Sequence, residues 1–154
     1  ESYNRGNSRD RWPRGGRGGN IDTRVDIARH AFAKARKGRR VFLSLHADRT
    51  PQAPQAPLAL YYESRKGKNR DLRSRAFAQT LLPSLGAGSR TRGQSLAVLR
   101  HNPADYKLLL EMRNLAYTDH AWALRYEQMR QRDAEKILKG LIDFARNQGV
   151  QAKR

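Results

Sequence analysis

The stretch Val41-Phe42-Leu43-Ser44-Leu45-His46-Ala47-Asp48 decides how the rest of the chain reads. Its first five residues, VFLSL, are an apolar run of strand length behind a segment with helical periodicity. A run of that length after a helix fits a buried strand of a parallel sheet. His46-Ala47-Asp48 comes directly after the run, and RTPQAPQAP follows over 49–57. Proline lacks an N–H and locks φ, so this tract is a loop; neither a central strand nor a helix survives it.

The reading extends outward from there. Over 22–37, Val25, Ala28, Phe32 and Ala35 recur at helical spacing, and Arg29, Lys34, Arg36 and Lys37 fall mostly on other faces. Asp22 or Thr23 can cap that helix, and Gly38 can end it. Downstream, LALYY at 58–62 reads as a second strand, and a polar loop leads to a helix over 70–82 that stops near Pro83 and Gly86. SLAVLR at 95–100 is expected as a third strand and KLLLE at 107–111 as a fourth. Thr118 and Asp119 offer caps for one or two helices that end near Gly149, with Trp122, Leu124, Met129, Ile137, Leu138, Leu141, Ile142 and Phe144 as apolar positions. Strands alternating with helices predict an α/β fold, a mostly parallel twisted sheet flanked by helices.

In such sheets ligands bind beyond the carboxyl ends of the strands. His46 follows VFLSL and Glu111 closes KLLLE, so parallel strands would bring both residues to one edge of the sheet. Each alone is ordinary: a strand-end histidine is usually a structural hydrogen-bonding residue, and a strand-end glutamate is usually solvated or salt-bridged. A hydrolytic zinc site needs neutral imidazole or carboxylate ligands, an open position for water and a carboxylate to take the water's proton. About three protein ligands are usual, so His46 and Glu111 make up only part of such a site.

Composition bounds the alternatives. The 154 residues are 38% apolar and carry a formal charge of +18, a length that suits one ordinary domain. Residues 1–20, ESYNRGNSRDRWPRGGRGGN, have no periodicity and read as a flexible Arg/Gly-rich arm or insertion, with the folded domain over 21–150. No run approaches the roughly 18 apolar residues of a membrane span, and no signal-peptide pattern is present. The sequence has no cysteine, which excludes disulfides, thiolate metal sites and cysteine nucleophiles. Any metal must therefore be held by His, Asp or Glu. The positive charge calls for a polyanionic partner, either nucleic acid or an anionic cell envelope.

The segments taken in order resemble the catalytic domain of the zinc-dependent N-acetylmuramoyl-L-alanine amidases of the AmiA/AmiB/AmiC-like type. Val41–Asp48 is similar to the family's "FISIHAD/N" strand. Thr23-Arg24 with Ala28-Arg29 resembles the threonine-arginine and helix before it, and Leu58–Tyr62 resembles the strand after it. Arg92-Gly93 with Leu96–Arg100 resembles the "RG…L.VLR" segment, Leu108–Glu111 the "LVE" strand, and Leu115–Leu124 the "FLSNPEDEALL" segment. The closing helix resembles the "AEAIAEGI" end, so the resemblance runs from about residue 22 to residue 147.

The resemblance implies a peptidoglycan hydrolase that cleaves the amide between N-acetylmuramic acid and the L-alanine of the stem peptide, with Zn2+ as cofactor. It implies His46 as a metal ligand and Glu111 as the catalytic base. The family's other two ligands, a His in a "DPGHGG" segment and a Glu about a helix later, have no match here and are expected upstream of Glu1. His30 lies within the helix before the His46 strand, the wrong place for either. Arg113 and Tyr117 depart from the family's usual Gly and Asn. The implied partners are peptidoglycan and anionic envelope polymers, and the implied location is periplasmic or extracellular. The tract 58–95 is too short for the inhibitory helix that some family members carry, so an unregulated or differently regulated site is expected.

His101 and His120 have no role to carry over, and a surface role for the first and a structural role for the second are expected. The competing readings are a catalytically inactive basic wall-binding module and a nucleic-acid-binding module. In the latter, Tyr3 and Trp12 would stack on bases within the arginine-glycine tract.

Overall fold

The computed structural model describes residues 20–148, and the side chains from Arg24 onward. The arm expected over residues 1–20 therefore lies, but for Asn20, outside the described residues. In chain order the elements are α1 (Asn20–Phe32), β1 (Val41–Asp48), β2 (Leu58–Tyr62), α2 (Leu72–Leu85), β3 (Arg90–Gln94), α3 (Ala97–Arg100), β4 (Tyr106–Asn114), α4 (Thr118–Ala123) and α5 (Glu127–Asn147). The fold is α/β, an open four-stranded sheet flanked by helices, with strand order β1-β4-β2-β3. β1 runs parallel to β4, and β2 runs parallel to β3. The junction of β2 with β4 is antiparallel, so the sheet is mixed, and two of its three strand pairings are parallel, in keeping with the mostly parallel sheet expected.

Two expectations change. SLAVLR is not a strand: Leu96 is extended, and Ala97–Arg100 form one helical turn that buries Val98 and Leu99 against Leu58, Leu60 and Leu109. The strand lies earlier, at Arg90–Gln94, where RTRGQ has no apolar side chain to announce it. It pairs only with β2, and an edge strand with one solvated side tolerates such composition. The helix of 22–37 also ends early, at Phe32. Beyond it Ala33 through Arg39 are exposed, so further turns would bury nothing to offset Lys34, Arg36 and Lys37 crowding one another. α2 runs through Pro83, which is exposed and two residues from the helix end, where few backbone bonds remain to be lost.

The sheet separates two apolar layers. On one face α2 and α5 cover Ala59, Tyr61, Leu108, Leu110 and Met112 with Phe77, Ala78, Leu81, Leu85, Ile137 and Phe144. Phe77, Tyr106 and Phe144 form an aromatic triangle with centroid distances of 4.5 to 5.9 Å. On the other face Leu58, Leu60 and Leu109 meet Val98 and Leu99 of α3. α2 is anchored by Asp71, whose carboxylate accepts from the Ser74 amide and hydroxyl. The fully buried Ser74 oxygen then accepts from the Lys107 amide of β4.

Candidate active site at the carboxyl ends of β1 and β4

Side chains two residues apart on a strand share a face. Leu109 belongs to the α3 layer, so Glu111 points to that face of β4, and its register partner His46 stands beside it on β1. The register continues up to that pair and then shifts. Between His46 and Ala47 a bulge passes over Met112, so that Ala47 stands opposite Arg113 and Asp48 opposite Asn114. Bulges of this kind end regular pairing and re-aim side chains beside functional sites. The two residues singled out in the sequence are thus cross-strand neighbours at the last regular step of the pair.

Their environments shift them in opposite senses. Burial, joined by the positive charge of Arg24 on α1, holds the His46 imidazole below its ordinary range, so it is neutral at physiological pH. Burial first, and the nearby Asp48 carboxylate second, push the Glu111 carboxyl above its ordinary range. One oxygen of Glu111, Oε2, is buried with no hydrogen-bond partner among the described residues. A buried carboxylate oxygen left unpaired is costly, and such orphans concentrate where a ligand or reacting group belongs. His46 Nε2 lies 2.9 Å from the hydroxyl of Ser44, its neighbour on the same face.

Two further residues, Asp48 and Asn114, support the site and have no role in the sequence reading, and a third, Arg113, ties the end of β4 to the α5 layer. Partial burial raises the Asp48 carboxyl, but bonds from the Arg49 and Thr50 amides and the Thr50 hydroxyl, with the charge of Arg92, bring it below its ordinary range. Asn114, 1% exposed, donates to the Thr50 and Ala53 carbonyls and accepts from the Ala116 amide, which ties the proline-rich loop to the end of β4. Arg113 forms a two-pronged pair with Asp133 of α5, at 2.8 and 2.9 Å. The period-2 spacing of Ser44 and His46 could have flagged Ser44. Nothing local in sequence brings Arg24 or Arg92 here.

The remaining histidines stand apart. His120 Nδ1 accepts from the Asn114 amide at 3.0 Å, a structural bond. His101 is exposed at the end of α3, and His30 is exposed on α1, bonded to the Asp26 carbonyl. α2, the helix that the tract 58–95 does hold, packs on the face of β4 opposite Glu111. Among the described residues no three of His, Asp and Glu gather as a metal-binding group. The two that do meet have the chemistry such a group requires: a neutral imidazole and a carboxylate with a buried, unengaged oxygen.

Comparison with known proteins bears on the fold. No protein-family model and no curated protein matches the sequence. Solved structures do. The catalytic domain of CwlV, an N-acetylmuramoyl-L-alanine amidase from Bacillus (Paenibacillus) polymyxa var. colistinus, is 23% identical, with a TM-score of 0.59 over 80% of this chain and 64% of that one. The N-acetylmuramoyl-L-alanine amidase AmiC2 of Nostoc punctiforme is 18% identical, with a TM-score of 0.60 over 81% of this chain and 65% of that one. Ami1 of Mycobacterium smegmatis, an N-acetylmuramyl-L-alanine amidase, is 20% identical, with a TM-score of 0.62 over 88% of this chain and 63% of that one. The chain has the fold of these amidase domains and spans just under two thirds of their length.

Proposed function

We propose that this chain belongs to the zinc-dependent N-acetylmuramoyl-L-alanine amidases and carries part of their active site. Its substrate is the peptidoglycan amide between N-acetylmuramic acid and the L-alanine of the stem peptide. The observation that carries this reading is the cross-strand pair of His46 and Glu111, with a buried oxygen of Glu111 that has no partner among the described residues. The shared fold supports it.

In this reading His46 holds the metal through a neutral imidazole, and the remaining ligands come from polypeptide outside the described residues. A bound zinc ion would acidify a water and polarise the scissile carbonyl. Glu111 accepts the water's proton and passes it to the leaving amine. Its raised affinity for a proton suits the first half of that task, since it makes the carboxylate a stronger base toward the water. Asp48 keeps the neighbourhood of Glu111 negative, and the loop pinned by Asn114 holds Asp48 in place. The net charge of +18 would keep the protein against anionic envelope polymers, in the periplasm or outside the cell.

Zinc content per chain, measured by elemental analysis on wild type and on His46→Ala beside an assay of amide release from peptidoglycan, tests this. Stoichiometric zinc and hydrolysis, both lost in His46→Ala, are expected. Wall binding without zinc or hydrolysis would replace the enzyme by an inactive wall-binding module, and salt-sensitive affinity for a single-stranded oligonucleotide would replace it by a nucleic-acid-binding one.

A further inference from the structure

The hydrogen bond between Ser44 and His46 has a direction that bears on how the imidazole is used. A serine hydroxyl offers one donor and two lone pairs, and a neutral imidazole has one N–H and one bare nitrogen. Two arrangements therefore fit the 2.9 Å separation of Ser44 Oγ from His46 Nε2. If the hydroxyl donates, the lone pair of Nε2 is consumed and the ring proton sits on Nδ1. That nitrogen has no acceptor among the described residues and is not among their buried unpartnered atoms, so its N–H would face solvent. The ring would also have no lone pair to offer without breaking the bond. If the hydroxyl accepts, Nε2–H is satisfied and Nδ1 presents a bare lone pair. With Nε2 already engaged by Ser44, only this arrangement leaves the ring a lone pair to offer.

The surroundings of Ser44 favour a fixed partner. Its cross-strand neighbour is the apolar Leu109, the hydroxyl makes no second hydrogen bond among the described residues, and both side chains are partly buried. The strand holds the two at a spacing of two residues on one face, so the contact is set by the backbone rather than by a chance rotamer.

We infer that Ser44 is a positioning residue that accepts a hydrogen bond from His46 Nε2–H, fixes that tautomer, and makes Nδ1 the nitrogen that binds the metal. The inference deepens the proposed amidase reading and rests on it for the identity of the ligand. A metal-bound histidine is oriented by the bond its other nitrogen donates, and loss of such a partner weakens metal binding 10- to 100-fold.

The test reads the tautomer without metal. Nitrogen-15 NMR of the histidine side chains of the metal-free 154-residue chain, near pH 8, should show His46 protonated at Nε2 and bare at Nδ1. Ser44→Ala should convert that signal to a mixture of the two forms, Ser44→Thr should restore it, and backbone signals away from β1 should stay in place. Zinc affinity, measured by competition with a chromophoric chelator, should fall roughly 10-fold in Ser44→Ala and recover in Ser44→Thr. A wild-type ring protonated at Nδ1, or a His46 spectrum unchanged by Ser44→Ala, overturns the inference. A ring that behaves as expected in a chain that takes up no zinc sinks the metal reading and leaves the positioning role supported.

Discussion

The two ends of the β1/β4 pair handle their polar groups in opposite ways. At the amino end Arg40 and Asp105 leave nothing unpaired. The guanidinium bonds both carboxylate oxygens at 2.8 and 3.0 Å, the Arg40 amide donates to the same carboxylate, and the Arg40 carbonyl accepts from the amides of Asp105 and Tyr106. The bond from Arg40 outweighs burial and holds the Asp105 carboxyl far below its ordinary range. At the carboxyl end regular pairing stops at a bulge, Glu111 has a buried oxygen with no partner among the described residues, and burial beside Asp48 moves its carboxyl the other way. Asp105 and Glu111 lie only six positions apart in sequence, yet one carboxylate is held charged and the other is pushed toward its neutral form. A satisfied pair serves the fold. An unsatisfied one is tolerated where chemistry needs an unengaged group.

Substitutions at each end can break or sharpen that contrast. The largest effect is expected from Glu111→Gln, which keeps shape and removes the base. Amide release from peptidoglycan should fall about 100- to 10,000-fold. Activity within a few-fold of wild type would move the base elsewhere. Next is Asp105→Asn, which should lower the melting temperature at pH 7 by several degrees without touching zinc uptake. Its pH dependence has a definite sign. The folded-state affinity of Asp105 for protons is depressed, so its stabilisation is present above the unfolded value near 3.9 and fades as pH falls below it. The wild-type and Asp105→Asn melting curves should therefore converge toward about pH 2. Curves that stay a constant distance apart would assign the loss to shape rather than charge. The smallest effect on stability is expected from Glu111→Leu. It removes the orphaned oxygen beside Leu109 and Leu58 and should raise stability by about 1 kcal/mol in denaturant unfolding while abolishing hydrolysis. A loss of stability would mean that Glu111 is better satisfied than its surroundings indicate.

Much of this arrangement was legible in the sequence, for identifiable reasons. β1 and β4 announce themselves because both contain apolar runs of strand length, and each carries a residue with usable chemistry near its carboxyl end, His46 and Glu111, although both strands run two or three residues further. α5 is legible from its long apolar periodicity. β3 was missed because an edge strand has little to bury, and α3 was misread because four apolar-rich residues fit a strand as well as one helical turn. The antiparallel junction of β2 with β4 leaves no local signal, since the direction of pairing is decided by how the whole chain packs.

Periodicity and apolar run length are local properties, so the order of residues alone makes this an α/β protein with His46 and Glu111 near the carboxyl ends of two strands. The sequence also determined that no thiol takes part, because none is present. Only the tertiary structure decided that those two residues face each other across a parallel pair, that a bulge ends the pairing beside them, and that Asp48 approaches Glu111 while Arg24 approaches His46. Register, burial and the field of distant charges depend on which segments become neighbours, and residues 65 positions apart in sequence become neighbours only when the sheet forms.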